Sequence, residues 1–509
     1  MALWLALLLA AWGAVIGVAG AVTGRAELSE SGERGVHAAS CFAALAITGL
    51  GYALAVGDLT YRNVASWTSS FTPLPYRLGA VWAAPSGSLL VWALVLGLGT
   101  SVAAASLPRR GSLRAWTAAL LALLVVALLA LACLDTNPFA RLPFAPDDGR
   151  GISMEWMRPI ALAQMPLGYV ALSMLAVPSV MTVMGALGTE AWRAVSQRWA
   201  LVCWALLGAA MLLDWRRSYG IGAWVEDWRW APAHAGTAFG WAGATLLVVA
   251  TRWRLRVAAT VTAGFVAFAL GLAGLSMRRA GGWDGVHSYA LSAPGRATGW
   301  VLLAATMLAV AAGMRRARRD ARHGVEARAA IAAQLAVLLV AVALAVSSFP
   351  RASEVALGEG ARVKVRDRFG TEWVISLEGV STVGRGEIVS SLVALRATVN
   401  GRARAFVVPE LRDLYDRGSG RPVEELGVAG IAPGLSQDLR VDVREANTAD
   451  VLATVRFIPA ASWIWIAGTL AILAALVMAV ASAPTGAPGP DSEPASEPAL
   501  AAVIGEETA

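Results

Sequence analysis

Apolar blocks separated by short polar loops run through the chain from its first residues to about residue 350. The blocks are close in length to the ~20 residues that an α-helix needs to cross a bilayer. They predict eleven membrane-spanning helices, at residues 3–22, 37–56, 87–106, 115–134, 160–186, 199–214, 237–251, 257–275, 299–314, 330–349 and 461–482. The expected fold is therefore an α-helical multi-pass membrane protein.

Residues 350–460 have a different pattern, in which apolar and polar side chains alternate and Gly and Pro separate the runs. Alternation with period two is typical of half-buried β-strands. It predicts strands at residues 363–369, 373–380, 392–399, 440–446 and 451–458. We expect a transmembrane domain over 1–349, a small β-rich domain over 350–460 and a final membrane helix over 461–482. Residues 483–509, rich in Pro, Ala, Ser and Glu, predict a disordered tail.

The composition narrows the class of protein. Of the 509 residues 57% are hydrophobic and 15% charged, with mean hydropathy +0.59; this excludes a soluble enzyme and a nucleic-acid-binding protein, because both need a charged surface. Arg is concentrated in alternate loops, at residues 23–36, 107–114, 187–198, 252–256 and 315–328. Since short loops rich in basic residues stay in the cytoplasm, the N-terminus and the β-rich domain are expected to face outward, into the periplasm.

One segment, residues 215–241, is unusually rich in tryptophan. It contains five Trp in 27 residues, at positions 215, 224, 228, 230 and 241. Trp commonly anchors helix ends at the membrane interface, which explains two or three of these positions. The alternative is a flat aromatic platform for a large planar ligand such as a porphyrin. The composition of this Trp-rich segment leaves both interpretations open.

The order of residues in the Trp-rich segment resembles the WWD motif of heme-handling proteins in cytochrome c biogenesis. Trp224, Trp228, Trp230 and Pro232 match that motif, whereas Ala231 replaces its Asp. Further resemblance to the CcmF family lies in five other segments, at residues 82–92, 137–150, 168–170, 408–415 and 462–466. The related CcsA family lacks a large outward β-domain before its last helix. The chain therefore resembles a shortened, divergent member of the CcmF family, the heme lyase subunits.

The resemblance implies heme, and His is the usual axial ligand of heme iron. His287 matches the family's second outward histidine, and His234 replaces the Glu of the motif, where it would supply a second axial nitrogen or only an interfacial hydrogen bond. The other family ligands are missing, since their positions hold Ala161, Val249 and Gln334. Because the last two positions bind a resident b-type heme in the family, that heme is in doubt here.

The implied function is a membrane subunit of the heme lyase machinery in a bacterial inner membrane. Heme from a membrane-anchored chaperone would dock on Trp224, Trp228 and Trp230, with His287 on its iron, for thioether attachment to an apocytochrome c. Outward cations would pair with the heme propionates, namely Arg216, Arg217, Arg278, Arg279 and Arg296. The implied partners are the chaperone, the apocytochrome, other maturation subunits and membrane lipid.

Two alternatives stay open at the level of sequence. The missing ligands fit a heme-free assembly scaffold that kept the fold, in which case the chain has no lyase activity. A secondary transporter is weaker, because few ionisable residues lie in the middle of the predicted spans, where coupling sites need them.

Overall fold

The structure is a computed structural model. It describes residues 1–109, 111–154, 156–186, 192–221, 228, 232–253, 255–279, 325–385, 387–415, 422–447 and 450–482. In chain order the helices of the described residues are α1 (Ala2–Thr23), α2 (Ala26–Val56), α3 (Arg62–Trp67), α4 (Leu74–Ala83), α5 (Pro85–Ala105), α6 (Ser112–Leu134), α7 (Pro159–Met174), α8 (Ala176–Ala186), α9 (Trp192–Tyr219), α10 (Pro232–Arg252), α11 (Val257–Arg279), α12 (Val325–Ser347) and α13 (Ala461–Ala481).

Nine helical segments in the described part of the chain are long and apolar enough to cross a membrane. They are α1, α2, α5, α6, the pair α7–α8, α9, α11 over Val257–Gly274, α12 and α13. The predicted span 237–251 lies within α10, and the predicted span 299–314 lies outside the described residues. The prediction of a multi-pass helical membrane protein with a β-rich part before its last helix is confirmed.

Helix α2 begins eleven residues before the span predicted from hydropathy, because its polar first turns are helical as well. Two of its charged side chains form an i,i+4 ion pair, with Arg34 Nη2 at 3.3 Å from Glu30 Oε2. A third, Glu33, accepts two hydrogen bonds from Arg114 at the start of α6, at 2.7 and 2.6 Å. A hydropathy pattern therefore marks the part of a helix inside the bilayer and misses the part that projects from it.

The predicted span 160–186 is divided into α7 and α8 at Leu175. Pro178 lies in the first turn of α8 and has no N–H to donate to the carbonyl of Met174, four residues earlier. The interruption therefore has a local cause, and both halves remain within one membrane-length segment.

Ten antiparallel strands form the β-rich region, residues 351–459. They are β1 (Arg351–Gly358), β2 (Arg362–Arg366), β3 (Glu372–Arg385), β4 (Ile388–Val399), β5 (Arg402–Val407), β6 (Glu410–Tyr415), β7 (Pro422–Val428), β8 (Gly430–Ala432), β9 (Gln437–Ala446) and β10 (Asp450–Pro459). One sheet has the order β1-β10-β9-β8, and the other has β2-β3-β4-β6-β7 with β5 also paired to β4. Apolar side chains of both sheets share one core, including Leu357, Ile375, Val393 and Val441.

Successive side chains of β9 alternate between the core of the β-rich region and the opposite face of the strand. Leu439, Val441 and Val443 point into the core of the β-rich region. Since successive side chains of a strand face opposite ways, Asp438, Arg440 and Asp442 point to the other face. That face meets the membrane helices, where the candidate site lies.

Glycines allow the backbones of α1 and α2 to touch. A Cβ added at Gly32 would lie 2.7 Å from the Cα of Gly17, whereas a Cβ at Gly49 on the same helix would meet nothing within 4 Å. The Gly32 contact is with backbone, which cannot rotate away as a side chain could. Close approach through small residues is a common way for membrane helices to pack.

We expect Gly32→Ala to lower the thermal midpoint of the detergent-solubilised protein, because overpacking of this kind costs about 1–3 kcal/mol. The matched variant Gly49→Ala, in open space on the same helix, should leave the midpoint unchanged or raise it slightly. Thermal unfolding followed by size-exclusion chromatography measures both. Equal effects of the two substitutions would contradict the close contact between α1 and α2.

Candidate functional site

The Trp-rich segment consists of the end of α9, a connection over 220–231 and the start of α10. Helix α9 continues past the predicted end at 214 to Tyr219, and its last turn contains Arg216 and Arg217, whose charges suit a helix C-terminus. Helix α10 starts at Pro232, a residue that favours the first helical position. Within the connection the structure describes Gly220, Ile221 and Trp228.

Trp228 is fully buried in an aromatic group of three rings. Its ring centroid lies 4.8 Å from that of Tyr219 at the end of α9 and 6.0 Å from that of Trp465 in the first turns of α13. Tyr219 and Trp465 are 5.9 Å apart. Tilted ring pairs at these separations are favourable beyond the area that they bury. Trp228 therefore fixes the connection to two membrane helices.

The start of the connection is bound to the β-rich region as well. Ile221 forms an antiparallel bridge with Val428, and the N–H of Ala429 donates to the carbonyl of Gly220 at 3.2 Å. The side chain of Arg440 in β9 donates from Nη2 to the carbonyl of Ile221 at 3.1 Å. The backbone that follows α9 therefore pairs with the edge strand β7 at Ile221 before the connection continues.

A buried charge network lies behind this contact. Arg440 is fully buried and donates from Nε and Nη2 to Asp442 Oδ1, at 3.1 and 2.8 Å. Arg456 of β10 donates to the other oxygen of Asp442 at 2.8 Å. The guanidinium of Arg440 also lies 5.5 Å from the centre of the Tyr219 ring. Because a buried charge is tolerated only when it is paired, these contacts fix where β9 meets α9.

Asp438 joins three elements at the same place. It accepts a hydrogen bond from the Tyr219 hydroxyl at 3.0 Å, another from Ser462 at the start of α13 at 2.9 Å, and a third from the N–H of Gly434 at 3.0 Å. Burial raises the pKa of the Asp438 carboxyl, and the three hydrogen bonds and the charge of Arg216 only partly offset this. The carboxylate is therefore held at an energetic cost in its charged form.

We call the apolar residues around this point the junction cluster; they come from the loop before α7, α9, the connection, α12, the β-rich region and α13. Its buried members are Met154, Trp215, Tyr219, Ile221, Trp228, Ala343, Leu344, Leu426, Ile458, Ala461 and Ile464. The base of the Trp-rich segment is consequently part of a packed core.

The structure brings together only part of the predicted site. Trp224, Trp230 and His287 lie outside the described residues, so their roles stay predictions. His234 is the third residue of α10, and the structure describes its backbone alone. Trp228 has no exposed surface and faces Tyr219 and Trp465.

The structure likewise places only some of the Arg residues that were predicted to bind the heme propionates. Arg216 is exposed, with its guanidinium 6.0 Å from the centre of the Trp465 ring. Arg217 is buried and lies 5.0 Å from the ring of Trp156, which removes it from an exposed anion site. Arg278 and Arg279 end α11 and only their backbone is described, whereas Arg296 lies outside the described residues.

A cavity of about 390 Å³ lies below the junction cluster, between α9, α10, α12 and α13. Trp215 belongs both to the cluster and to the cavity wall. The wall also contains Val249 of α10 and Gln334 of α12, the two positions that the sequence comparison with the family had singled out. Among the described residues no group of three or more His, Cys, Asp or Glu could hold a metal ion.

Comparisons of the sequence and of the fold with known proteins agree with each other. No protein-family model matches the chain. The cytochrome c-type biogenesis protein CcmF of Pseudomonas aeruginosa is 30% identical over 262 residues, which are 49% of this chain and 39% of that protein. CcmF of Escherichia coli is 29% identical over 268 residues, 51% of this chain and 41% of that protein. A solved structure of the cytochrome c heme lyase CcmF superposes with a TM-score of 0.68 at 20% identity, over 94% of this chain and 96% of that chain.

The sequence similarity over about half the chain and the shared fold support assignment of the chain to the CcmF family. The alignments cover about two fifths of the length of those curated relatives, while the superposition covers almost all of the solved structure. The resemblance that the motifs indicated is thereby confirmed, as is the fold class. Heme binding at the Trp-rich segment remains a prediction.

The cavity does not fit the resident b-type heme that the CcmF family implies. Val249 offers no ligand to iron, and an amide such as that of Gln334 is a poor one. The described residues that line the cavity include no His, Cys or Tyr. Its two thioethers, Met211 and Met478, are too far apart for one iron: Met211 is next to Leu212, which packs at Gly468, and Gly468 lies about 15 Å along α13 from Met478.

Sequence reasoning missed the polar contacts that hold the Trp-rich segment. A signal was present, since Arg440 and Asp442 alternate within the predicted strand 440–446 and Asp438 continues the spacing just before it, and such spacing places them on one face. The buried partners, Tyr219 and the carbonyl of Ile221, are more than 200 residues away in sequence.

We expect Arg440→Met to destabilise the protein by about 3–5 kcal/mol, because Asp442 and the Ile221 carbonyl lose a buried donor. Arg444→Met is the matched control: Arg444 lies on the same strand, and its ion pair with Glu354 is more than half exposed, so the loss should stay below about 1 kcal/mol. Thermal midpoints in detergent distinguish the two. A control as damaging as Arg440→Met would show that Arg440 has no special role.

We expect Asp438→Asn to change how stability depends on pH. The folded state raises the pKa of Asp438 above its usual value of 3.8, so it holds a proton that the unfolded chain has already released. Stability of the wild type therefore falls as pH rises from about 4 through the raised value, and levels off above it. The Asn variant should lose this fall. Thermal midpoints from pH 4 to 8 test it, with Asp450→Asn, at the exposed start of β10, as control.

Proposed function

We propose that this chain is a membrane subunit of cytochrome c maturation that holds heme at the Trp-rich segment for covalent attachment to apocytochrome c. Membership of the CcmF family supports a role in this process. The observation that favours the segment is its fixed base: Trp228 packs on Tyr219 and Trp465, and Ile221 is bound by β7 and Arg440. A binding surface on a rigid base loses less entropy when a ligand arrives.

The buried position of Trp228 assigns it a supporting part in the proposed site. Its ring anchors the connection in the junction cluster, and the platform for heme would be formed by its neighbours Trp224 and Trp230. His287 would bind the iron, and His234 would supply a second nitrogen. The exposed Arg216 could pair with a propionate, whereas Arg217 is buried.

The chemistry of this proposal needs no nucleophile from the chain. The thiols of the apocytochrome add across the two vinyl groups of heme, so that each S–H bond and each vinyl π bond are replaced by a C–S bond and a C–H bond and no atom is lost. The chain would accelerate the reaction by holding heme at a fixed orientation to the incoming peptide. Hence we expect a substitution at the site to change heme binding and the yield of heme-loaded cytochrome c together.

The proposed partners and orientation follow from the same assignment. They are a heme-carrying chaperone, the apocytochrome and other maturation subunits, in a bacterial inner membrane. The ends of α10 and α12 that carry the Arg252–Glu326 ion pair would face the cytoplasm, because Arg is dense in the loops at that end. The N-terminus and the β-rich region would then face the periplasm.

A heme-free assembly scaffold is the second candidate. It is favoured by one observation, the replacement of both ligand positions in the cavity wall by Val249 and Gln334. The two candidates differ in whether the Trp-rich segment binds heme at all.

We expect hemin added to the purified protein to give a Soret band, with an affinity at least about tenfold lower in His287→Ala, equal to 1.4 kcal/mol or more. The matched control is His323→Ala, in the Arg-rich loop. Hemin titrations in detergent, oxidised and reduced, measure both, and His234→Ala tests the second nitrogen. Absence of any heme binding by the wild type would contradict the lyase proposal and favour the scaffold.

A further inference from the structure

The cavity between α9, α10, α12 and α13 is long and narrow. Its wall runs from Leu201 to Trp215 on α9 and from Ala330 to Leu344 on α12, a length of about 21 Å on each helix at 1.5 Å per residue. A volume of about 390 Å³ spread over that length makes an elongated space, which we call the slot, and its shape suits an extended hydrocarbon chain.

The wall of the slot is apolar, and most of its polar atoms are already paired within the protein. Trp204 and Trp241 pack against each other with centroids 5.1 Å apart. The indole N–H of Trp204 donates to the Thr245 hydroxyl at 3.0 Å, and that hydroxyl donates to the carbonyl of Trp241 at 2.8 Å. An apolar lining of this kind favours apolar guests. The exception is Gln334, whose Oε1 is buried without a partner.

The two ends of the slot differ in chemistry. At one end the wall contains Trp215 beneath the junction cluster. At the other it contains Arg252 and Trp253, the residues at which α10 ends, and Arg252 is paired with Glu326 at 2.5 Å. Arg and Trp are the residues that meet lipid headgroups at a membrane interface. A lipid would therefore have its phosphate at the Arg252 end and its chain directed toward Trp215.

We propose that this cavity binds one acyl chain of a membrane phospholipid, with its headgroup beside Arg252 and Trp253. The acyl chain lies in the space between the helix pair α9–α10 and the helix pair α12–α13. At about 21 Å the slot exceeds the ~15 Å of hydrocarbon in one leaflet, so that an extended chain fits along it. The proposal does not depend on heme handling by the Trp-rich segment.

Native mass spectrometry of the protein in mild detergent tests the proposal. The wild type should retain one phospholipid per chain, and Ala333→Phe, which fills the slot, should reduce that occupancy at least tenfold. Ala332→Phe is the matched control, because Ala332 is the neighbouring residue of α12 and is exposed. Gln334→Leu should retain the lipid, since a hydrocarbon chain makes no hydrogen bond to the amide.

Three results would overturn the proposal. The first is unchanged lipid occupancy in Ala333→Phe. The second is loss of the bound molecule in Gln334→Leu, which would indicate a polar ligand that donates to the amide. The third is a wild type that purifies with b-type heme whose absorption disappears in Ala333→Phe but persists in His287→Ala.

A labelling experiment on the wild type keeps the proposal testable if Ala333→Phe does not fold. A phospholipid with a photoreactive group near the end of one acyl chain is added to the protein in vesicles of phosphatidylglycerol and phosphatidylethanolamine. Labelling should reach Val337, which lines the slot, as well as the exposed Leu335 and Leu339 on the same helix. Labelling of Leu335 and Leu339 without Val337 would contradict the proposal.

Discussion

The arrangement of the membrane helices and the β-rich region depends on the hydrogen bonds of the fully buried Arg440 guanidinium. A charge without solvent must be paired within the protein, and Arg440 is paired through Nε and Nη2 with Asp442 of its own strand and through Nη2 with the carbonyl of Ile221. Apolar packing alone would tolerate a shift of a residue or more between the two parts. The directed hydrogen bonds do not, and they therefore set the position at which the Trp-rich segment leaves α9.

The junction cluster transmits this position in two directions. Above it, Trp228 anchors the connection that contains the predicted heme platform. Below it, Trp215 forms one end of the slot between four helices. Since packed side chains behave as a nearly incompressible solid, a change in the register of β9 would be felt both in the connection and at the end of the slot. The β-rich region thus holds both the connection and this end of the slot in position.

The membrane-length helices of the described residues and most central strands could be predicted from the sequence, because hydropathy and alternation are local, whereas the short α3 and α4 were not predicted. The limits of α2 and α9 could not, since charged turns such as that of Glu30 and Arg34 continue a helix beyond the bilayer. The motif located the Trp-rich segment, but a motif carries no information on burial. That Trp228 is buried depends on Trp465, more than 200 residues away. Likewise, Asp438 and Arg440 look like surface residues until their distant partners are known.

The two ligand positions lie away from the residues that the slot shares with the junction cluster, which explains how a chain with the CcmF fold can change one part and keep another. In the slot, Gln334 lies ten residues along α12 from Leu344, which the slot shares with the junction cluster, and Val249 belongs to α10, of which no described residue is in that cluster. Substituting ligands there leaves Trp228, Tyr219 and Arg440 with all their contacts. A slot with an apolar lining and no iron ligand at positions 249 and 334 suits an apolar guest, and the membrane supplies one at high concentration.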